Sequence, residues 1–358
     1  MKVLVALSGG VDSTVAAALL QEQGHDVAGV TLKLWGGDSD SGCCSVADVD
    51  DARRVAQQLG IRHYVFNFGE EFTTNVVDPY VRAHSIGETP NPCVECNRFL
   101  KFDRLLQRAT QLGFEAIATG HHVRRVAMPD GRFVVGRGFD EAKDQSYVVH
   151  MLGQDVLART LFPVGDLTKT EVRAKASAMR LRTAEKAESM EVCFIAETAG
   201  GRRVFLGDRI PLRPGKVVDA SGIEVGRTDA VELVTIGQRR NLGLSGAADR
   251  RYVVDVDVAN AVVTVGDRHA LRRDGVTLHT VTLPLGPEFL DGPLRVQTSA
   301  HGRPVACTAE LDGDRLVVRF AEPQTRVAPG QSVVLYTTVT GETTAADVVV
   351  AGGIATRD

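Results

Sequence analysis

The first 180 residues alternate between short apolar runs and segments with helical spacing. Apolar runs bounded by turn residues predict buried strands, and apolar residues that recur every three or four positions predict helices. The predicted strands are 3–7, 27–34, 61–68 and 116–119, and the predicted helices are 14–23, 46–59, 72–84, 100–112 and 169–179. This alternation predicts a parallel, doubly wound α/β sheet with helices on both faces.

The pattern changes near residue 200 to short apolar runs separated by glycine turns. From residue 276 onward every predicted element is a strand: 277–283, 294–298, 306–311, 315–320 and 332–338. Short strands with turn signals predict a small β-barrel. The 358 residues are enough for three domains. We therefore predict an α/β domain over 1–197, a central domain over 198–270 and a C-terminal β-barrel domain over 271–358.

The first predicted strand runs directly into the sequence SGGVDS at 8–13, and a helix follows at once. Gly9 and Gly10 allow the backbone to approach an anion closely, and a helix start offers unpaired N–H groups with partial positive charge. Asp12 is a candidate ligand for Mg²⁺. The lysine of the common P-loop motif is absent. The alternative interpretation is a plain helix N-cap by Asp12 or Ser13.

A second motif with candidate chemistry is the C-x-x-C pair Cys93 and Cys96. It lies within 89–98, where two prolines predict a loop between helices. A zinc site needs four ligands, and the adjacent pairs at 43–44 and 121–122 have poor spacing for joint chelation. A thioredoxin-type redox pair opens a helix in a different βαβ context. Zinc stays open as an alternative.

Composition narrows the class of protein. Hydrophobic residues make up 44% of the chain and aromatic residues 5%, which is ordinary for a globular protein. The net charge of −4 does not indicate general nucleic-acid binding, yet residues 201–275 hold 13 Lys and Arg against 10 Asp and Glu. This local excess predicts either a footprint for a polyanion or ordinary solvated surface. No apolar run has the length of a signal peptide or membrane span, so we expect a cytoplasmic protein without membrane or DNA partners.

Nine motifs follow one another along nearly the whole chain. They are SGGVDS at 8–13, TPNPCVECNRFLKF at 89–102, ATGHH at 118–122, KDQSY at 143–147, LFPVG at 161–165, VCFI at 192–195, RPGK at 213–216, TIGQRR at 235–240 and PGQSVVLY at 329–336. Few are specific alone, but in this order they resemble the bacterial tRNA-specific 2-thiouridylases of the PP-loop ATP-pyrophosphatase superfamily. The resemblance implies an adenine nucleotide alpha hydrolase-like first domain.

The resemblance also implies an activity: ATP-dependent 2-thiolation of the wobble uridine of tRNA. ATP would adenylate the uridine 2-oxygen with release of pyrophosphate, and sulfur would then displace AMP. The implied site for ATP with Mg²⁺ comprises Ala6, Leu7, Ser8, Gly9, Gly10, Val11, Asp12, Ser13, Leu32 and Gly120. The implied contacts to tRNA or its target base are Asn91, Pro92, Cys93, His121, Lys143, Asp144, Gln145 and Gln331.

The resemblance assigns sulfur transfer to two cysteines. Cys193 matches the persulfide carrier, and Cys96 matches the catalytic nucleophile, with a disulfide between them after transfer. Many family members have Asp where this chain has Cys93, so Cys93, Cys96 and Cys193 are also candidate ligands of a [4Fe–4S] cluster with one iron open to hydrosulfide. Both mechanisms stay open. The sulfur itself would come from a partner, a sulfur-relay protein or a cysteine desulfurase.

Three further points stay open. The family commonly has Arg-Tyr where this chain has Ser299-Ala300, so His301 and Arg303 are candidates to replace that tRNA contact. A PP-loop ligase or amidotransferase acting on a small metabolite is an alternative enzyme. A metal-stabilised RNA-binding protein that holds ATP only as a structural ligand is an alternative from another class.

Overall fold

The computed structural model describes residues 1–35, 46–187, 192–195, 200–244, 250–340 and 345–357. Two compact units divide the chain. The first unit comprises Met1–Val76, Pro92–Ala196 and Thr338–Val349, and the second comprises Val77–Asn91, Glu197–Thr337 and Val350–Asp358. No helix among the described residues is long and apolar enough to cross a bilayer.

The first unit is built on a parallel sheet. Its strands in chain order are β1 (Lys2–Ala6), β2 (Asp26–Lys33), β3 (Arg62–Asn67), β4 (Ala116–Ala118), β5 (Val123–Ala127), β6 (Phe133–Arg137) and β7 (Thr160–Leu161). Five of them form the sheet in the order β3-β2-β1-β4-β7, with every neighbouring pair parallel. Strands β5 and β6 form an antiparallel hairpin outside this sheet, and β6 also pairs with a later strand, with Gly136 opposite Val348.

Helices cover this sheet. The chain contains α1 (Val11–Glu22), α2 (Val46–Leu59), α3 (Gly69–Phe72), α4 (Asp78–Ser85), α5 (Pro92–Glu95), α6 (Leu105–Gln111), α7 (Gln154–Leu157), α8 (Lys169–Ala178) and α9 (Gly201–Gly207), with π-helical stretches at Thr73–Val77 and Cys96–Arg104. Of these, α4 and α9 belong to the second unit. Val3, Leu4 and Val5 of β1 are fully buried, as a strand covered on both faces must be. The predicted doubly wound α/β fold is confirmed.

The C-terminal part of the chain contains two β structures. The first is a four-stranded sheet in the order β10-β11-β8-β9, and the second is a six-stranded barrel. The strands are β8 (Gly215–Val218), β9 (Glu224–Thr228), β10 (Tyr252–Asp257), β11 (Val262–Gly266), β12 (Arg272–Thr282), β13 (Leu294–Gln297), β14 (Val305–Asp312), β15 (Arg315–Thr325), β16 (Ser332–Thr340) and β17 (Ala345–Ala355). The barrel closes because β12 pairs with both β15 and β17. The predicted C-terminal barrel is confirmed, whereas the predicted domain boundaries stay a prediction.

Some local predictions were wrong. Residues 92–98 are helical rather than a loop, because Pro92 occupies the first position of a helix, where its missing N–H costs nothing. The β5–β6 hairpin was not predicted, since arginines interrupt its apolar alternation at 124–125, although Asp130-Gly131 marks its turn. A 3₁₀ turn over Ser146–Val148 was not predicted either. Strand β17 was also missed.

Buried histidines make the fold sensitive to acid. His150 is 1% exposed and neither ring nitrogen has a hydrogen-bond partner. Burial, followed by the positive charge of Arg98, lowers its pKa to about 3. Burial likewise lowers the pKa of His121 to about 3 and that of His84 to about 4. Below pH 6.5 the unfolded chain therefore binds protons that the folded chain does not, and stability falls.

We predict that replacing His150 with Leu reduces the loss of unfolding free energy between pH 7 and pH 5 by on the order of 2 kcal/mol. Urea unfolding at the two pH values measures this loss. The same substitution at half-buried His25, in the same unit, is the matched control. An unchanged loss in the His150 variant would contradict the assignment of a buried neutral ring.

Candidate functional site

Residues 8–13 form a tight turn between β1 and α1. Gly9 has φ = 73°, a conformation that favours glycine, and a Cβ there would lie 2.8 Å from the backbone oxygen of Asp48. Gly10 is the N-cap of α1, and no side chain caps this helix. The alternative of a side-chain N-cap by Asp12 or Ser13 therefore does not hold. The helix start is open on its anion-binding side.

A cavity of about 300 Å³ lies beside this turn, at the carboxyl edge of the sheet. Three segments meet there: the turn itself, the end of β2, and the chain that follows β4. Of the residues predicted to bind ATP, the lining includes Ala6, Leu7, Ser8, Gly10, Asp12, Ser13, Leu32 and Gly120. Gly9 instead packs on α2, and the side chain of Val11 lies in the core. Ligands of parallel sheets commonly bind at this edge.

One wall of the cavity is apolar and closely packed. Leu7 and Leu32 line it, and the Thr31 hydroxyl lies 2.9 Å from both the Leu7 carbonyl oxygen and Nε2 of His63. A Cβ on Gly120 would overlap the backbone nitrogen of Ser13, so only glycine permits β4 to end so close to the turn. This wall suits a flat apolar group such as a nucleobase.

The carboxylate of Asp12 contacts two basic side chains, Lys169 and His122. Nζ of Lys169, at the start of α8, lies 2.8 and 2.7 Å from the two carboxylate oxygens, and Nε2 of His122 lies 3.2 Å from one of them. Burial alone raises the pKa of Asp12, but the hydrogen bonds from His122 and Lys169 outweigh burial, and the pKa is below its usual value. Asp12 is therefore ionised at neutral pH.

Lys169 is a functional candidate that sequence reasoning missed. Thr168 and Glu171 form a capping box that starts α8, and this T-x-x-E signal is visible in the sequence. The box places Lys169 in the first turn, where the helix dipole disfavours a positive charge. A lysine in that place indicates a negatively charged partner, and Asp12 is that partner in the structure.

The residues predicted to contact the target base are distributed differently. His121, Lys143 and Gln145 line the cavity, and Oε1 of Gln145 accepts a hydrogen bond from the backbone of His122. Asp144 instead points inward. Its carboxylate accepts hydrogen bonds from Arg137, from the backbone of Gly138 and from Ser146. Asp144 thus shapes the turn that presents its two neighbours.

Two further predicted contacts lie in the second unit. Gln331, in the turn before β16, donates its side-chain amide to the backbone oxygen of Thr89, two residues before Asn91. The backbone of Thr89 also donates to Pro329. The positions 91 and 331, far apart in sequence, therefore share one region of this unit.

Cys93 and Cys96 lie on a helix, not on the predicted loop. Cys93, in α5, is exposed, and Cys96, where the π-helical stretch begins, is 6% exposed. π-Helical turns are frequent at functional sites. Neither cysteine lines the cavity.

Cys193 lies in a segment anchored by an aromatic side chain. Its neighbour Phe194 packs against Trp35 and Phe72, with ring centroids 6.2 and 5.4 Å apart. Trp35 follows β2, so this anchor lies at the same sheet edge as the cavity. Among the described residues no group of three or more His, Cys, Asp and Glu side chains is placed to hold a metal ion. The three cysteines as placed therefore do not form a zinc site.

The other cysteines have no place in the site. Cys307 is buried in the barrel, and burial raises its pKa to about 12, so it stays a thiol. Residues 43 and 44 lie outside the described part of the chain.

Comparison with known proteins identifies the family. The model described as tRNA methyl transferase HUP domain matches residues 1–197, that of the tRNA methyl transferase PRC-barrel domain matches 203–267, and that of the aminomethyltransferase beta-barrel domain matches 285–354. The U34-tRNA thiolase NcsA from Methanococcus maripaludis, solved with its [4Fe-4S] cluster, is 19% identical with a TM-score of 0.37, covering 54% of this chain and 61% of that one. A likeness this low carries no argument about the site.

Curated relatives are much closer. The tRNA-specific 2-thiouridylase MnmA of Roseiflexus castenholzii is 45% identical, over 94% of this chain and 96% of that protein. The enzyme of the same name from Chloroflexus aggregans is 46% identical, over 93% of this chain and 94% of that protein. With this identity over nearly the whole of both chains, the protein belongs to the tRNA-specific 2-thiouridylase family.

Proposed function

We propose that this protein catalyses ATP-dependent 2-thiolation of the wobble uridine of tRNA. One observation carries the proposal: a single cavity joins an uncapped helix start, an apolar wall and three lysines, Lys101, Lys143 and Lys169. The same compact unit contains the helix with Cys93 and Cys96. A reaction that first adenylates an oxygen and then replaces that oxygen with sulfur needs both a nucleotide site and cysteines.

ATP fits the cavity in one orientation. The base packs against the wall of Leu7 and Leu32, and the β- and γ-phosphates lie at the turn and helix start. Asp12 is the one acidic side chain among the described lining residues, and a Mg²⁺ ion usually takes one or two carboxylates together with phosphate oxygens. Asp12 fits that role once Lys169 turns from the carboxylate to a phosphate.

Adenylation activates the uridine. The uridine 2-oxygen attacks the α-phosphorus, the bond from that phosphorus to the bridging oxygen breaks, and pyrophosphate leaves with the electron pair. The N3 proton of the uridine is lost to solvent. The N–H groups of the turn and the lysines stabilise the charge that develops on the phosphates.

Sulfur transfer uses Cys193 and Cys96 in sequence. The terminal sulfur of a Cys193 persulfide attacks C2, and AMP leaves with the electrons of the C–O bond. The Cys96 thiolate then attacks the Cys193 sulfur, so the transferred sulfur stays on C2 and a disulfide forms between the cysteines. N3 of the product takes a proton back from solvent. A thiol reductant restores both thiols, and a sulfur-relay protein or cysteine desulfurase reloads Cys193.

We base this proposal on the persulfide route because it needs only two of the cysteines. These two must meet after tRNA has bound, and motion of this kind is common when an active site closes on its substrate. A cluster would need Cys93, Cys96 and Cys193 together as its ligands. Such a reaction takes place where tRNA is modified, so we assign the protein to the cytoplasm.

We predict that Cys96→Ser and Cys193→Ser each abolish 2-thiouridine formation but keep tRNA-dependent release of pyrophosphate. Adenylation precedes sulfur transfer, and serine supports neither a persulfide nor a disulfide. Incubation with ATP, Mg²⁺, a sulfur donor and unmodified tRNA, followed by nucleoside mass spectrometry, measures the product. Cys307→Ala, away from the site, is the control and should keep full activity.

The same assay separates the alternative functions. A methyl transferase, as the names of two of the family models suggest, would give a methylated nucleoside and need no sulfur. A ligase for a small metabolite would release pyrophosphate without tRNA, and an RNA-binding protein would release none. Wild-type protein that makes no 2-thiouridine, with or without oxygen, contradicts the proposal.

The persulfide route further predicts that iron-free protein is fully active. Protein prepared anaerobically should contain no stoichiometric iron or acid-labile sulfide, and adding a chelator should not lower the rate of thiolation. A brown protein whose activity rises in proportion to its iron content would overturn this route.

We predict that Lys169→Met lowers the rate of tRNA-dependent pyrophosphate release by roughly 10²–10³-fold, as the loss of one preorganised charge does elsewhere. Lys175→Met, on the same helix but outside the cavity, is the matched control. Equal rates for the two variants would show that Lys169 serves only to hold Asp12.

A further inference from the structure

The helix that carries Cys96 has an unusual spacing. In an α-helix residues five apart point about 140° away from each other. In a π-helix the N–H of residue i+5 bonds to the carbonyl of residue i, so such residues lie one turn apart on the same face. Cys96–Arg104 is π-helical. Cys96 and Lys101 are therefore on one face, one turn apart.

Burial along the stretch follows this five-residue spacing. Asn97 and Phe102 are 1% and 0% exposed, and Leu100 and Leu105 are both fully buried. Lys101 lies between these pairs and is only half-buried. The buried residues thus fix the helix, and Lys101 is the half-buried member of the stretch that follows Cys96 by one turn.

Lys101 is directed into the nucleotide cavity. It is among the residues that line the cavity, together with Ser8 and Asp12. It also lies near His121, because after burial the charge of Lys101 is the next cause that lowers the pKa of His121. The ring of His121 packs against Phe102, the residue after Lys101, with centroids 5.6 Å apart.

Lys169 and Lys101 lie in different parts of the cavity. Lys169 contacts Asp12 beside the phosphate-type turn, where the terminal phosphates are proposed to bind. Lys101 comes from the cysteine helix and neighbours His121, one of the residues predicted to contact tRNA or its target base. The atom of ATP that must meet that base is the α-phosphorus.

We propose that Lys101 is a catalytic residue that binds a non-bridging oxygen of the α-phosphate and stabilises its charge during adenylation. The inference rests on the proposed function and deepens it. Lys101 donates an N–H to that oxygen throughout and keeps its proton. The attacking uridine oxygen and the leaving pyrophosphate account for the bonds formed and broken. The ammonium group also neutralises the phosphate of the AMP that leaves in the next step.

Binding of nucleotide fragments tests this assignment without turnover. For Lys101→Met we expect the Kd for AMP to rise about tenfold or more, as for the loss of a hydrogen bond to a charged group. The Kd for adenosine, which has no phosphate, and that for pyrophosphate should both stay within about twofold. Lys169→Met should show the opposite pattern, with weaker binding of pyrophosphate and nearly unchanged binding of AMP. Isothermal titration with each of the three compounds gives these constants.

Kinetics supply the second test. At saturating ATP, Lys101→Met should lower kcat for tRNA-dependent pyrophosphate release roughly 10²–10³-fold, and Lys101→Arg should recover part of the rate. Arg104→Met removes a cation from the same π-helical stretch. Arg104 pairs with Glu71 outside the cavity, so this control should keep the wild-type rate.

The outcomes separate the inference from the proposed function. Equal loss of AMP and pyrophosphate binding in Lys101→Met, or no loss of either, overturns the inference even if wild-type protein makes 2-thiouridine. Selective loss of AMP binding in a protein that makes no 2-thiouridine supports the role of Lys101 and refutes the proposed function.

Discussion

The candidate site depends on how closely the end of β4 packs on the turn after β1. At Gly120 the two backbones meet without room for a Cβ, which joins the turn to the segment carrying His121 and His122. This contact brings His122 within reach of Asp12 and places His121 in the cavity wall. The turn after β1, the apolar wall and the segment with His121 and His122 are therefore parts of one edge of the sheet. A larger residue at this glycine would separate them before it touched any ligand.

Much of this edge could be predicted from the sequence. Parallel strands end at a common edge of the sheet, so the predicted strands 3–7, 27–34 and 116–119 already imply that the residues following them lie close together. The pairing of Asp12 with Lys169 could not be predicted, since 157 residues separate them and only the fold brings α8 beside α1. The inward orientation of Asp144 could not be predicted either, because Lys143, Asp144 and Gln145 are all polar and the sequence does not indicate which of them is directed inward.

At the cysteine motif the prediction from the sequence was wrong. Proline was interpreted as a sign of a loop at 89–98, yet Pro92 starts a helix. The distinction matters, because a helix fixes the direction of each side chain in a way that a loop does not. The π-helical spacing then aligns Cys96 with Lys101. Helix propensities do not predict a π-helix here, because the buried side chains of the stretch hold it in that conformation.

The ion pair of Asp12 and Lys169 has a consequence for how the protein selects its ligands. The positive charge beside the turn is already compensated within the protein, so an anion that enters must exchange partners with Asp12 rather than fill a vacant positive site. The affinity of the turn for an anion then depends on the difference in free energy between two ion pairs, that of Lys169 with Asp12 and that of Lys169 with the anion. Simple anions such as chloride or sulfate gain little from that exchange. A polyphosphate that brings its own divalent cation gains more, since the cation takes the carboxylate and the phosphate takes the lysine.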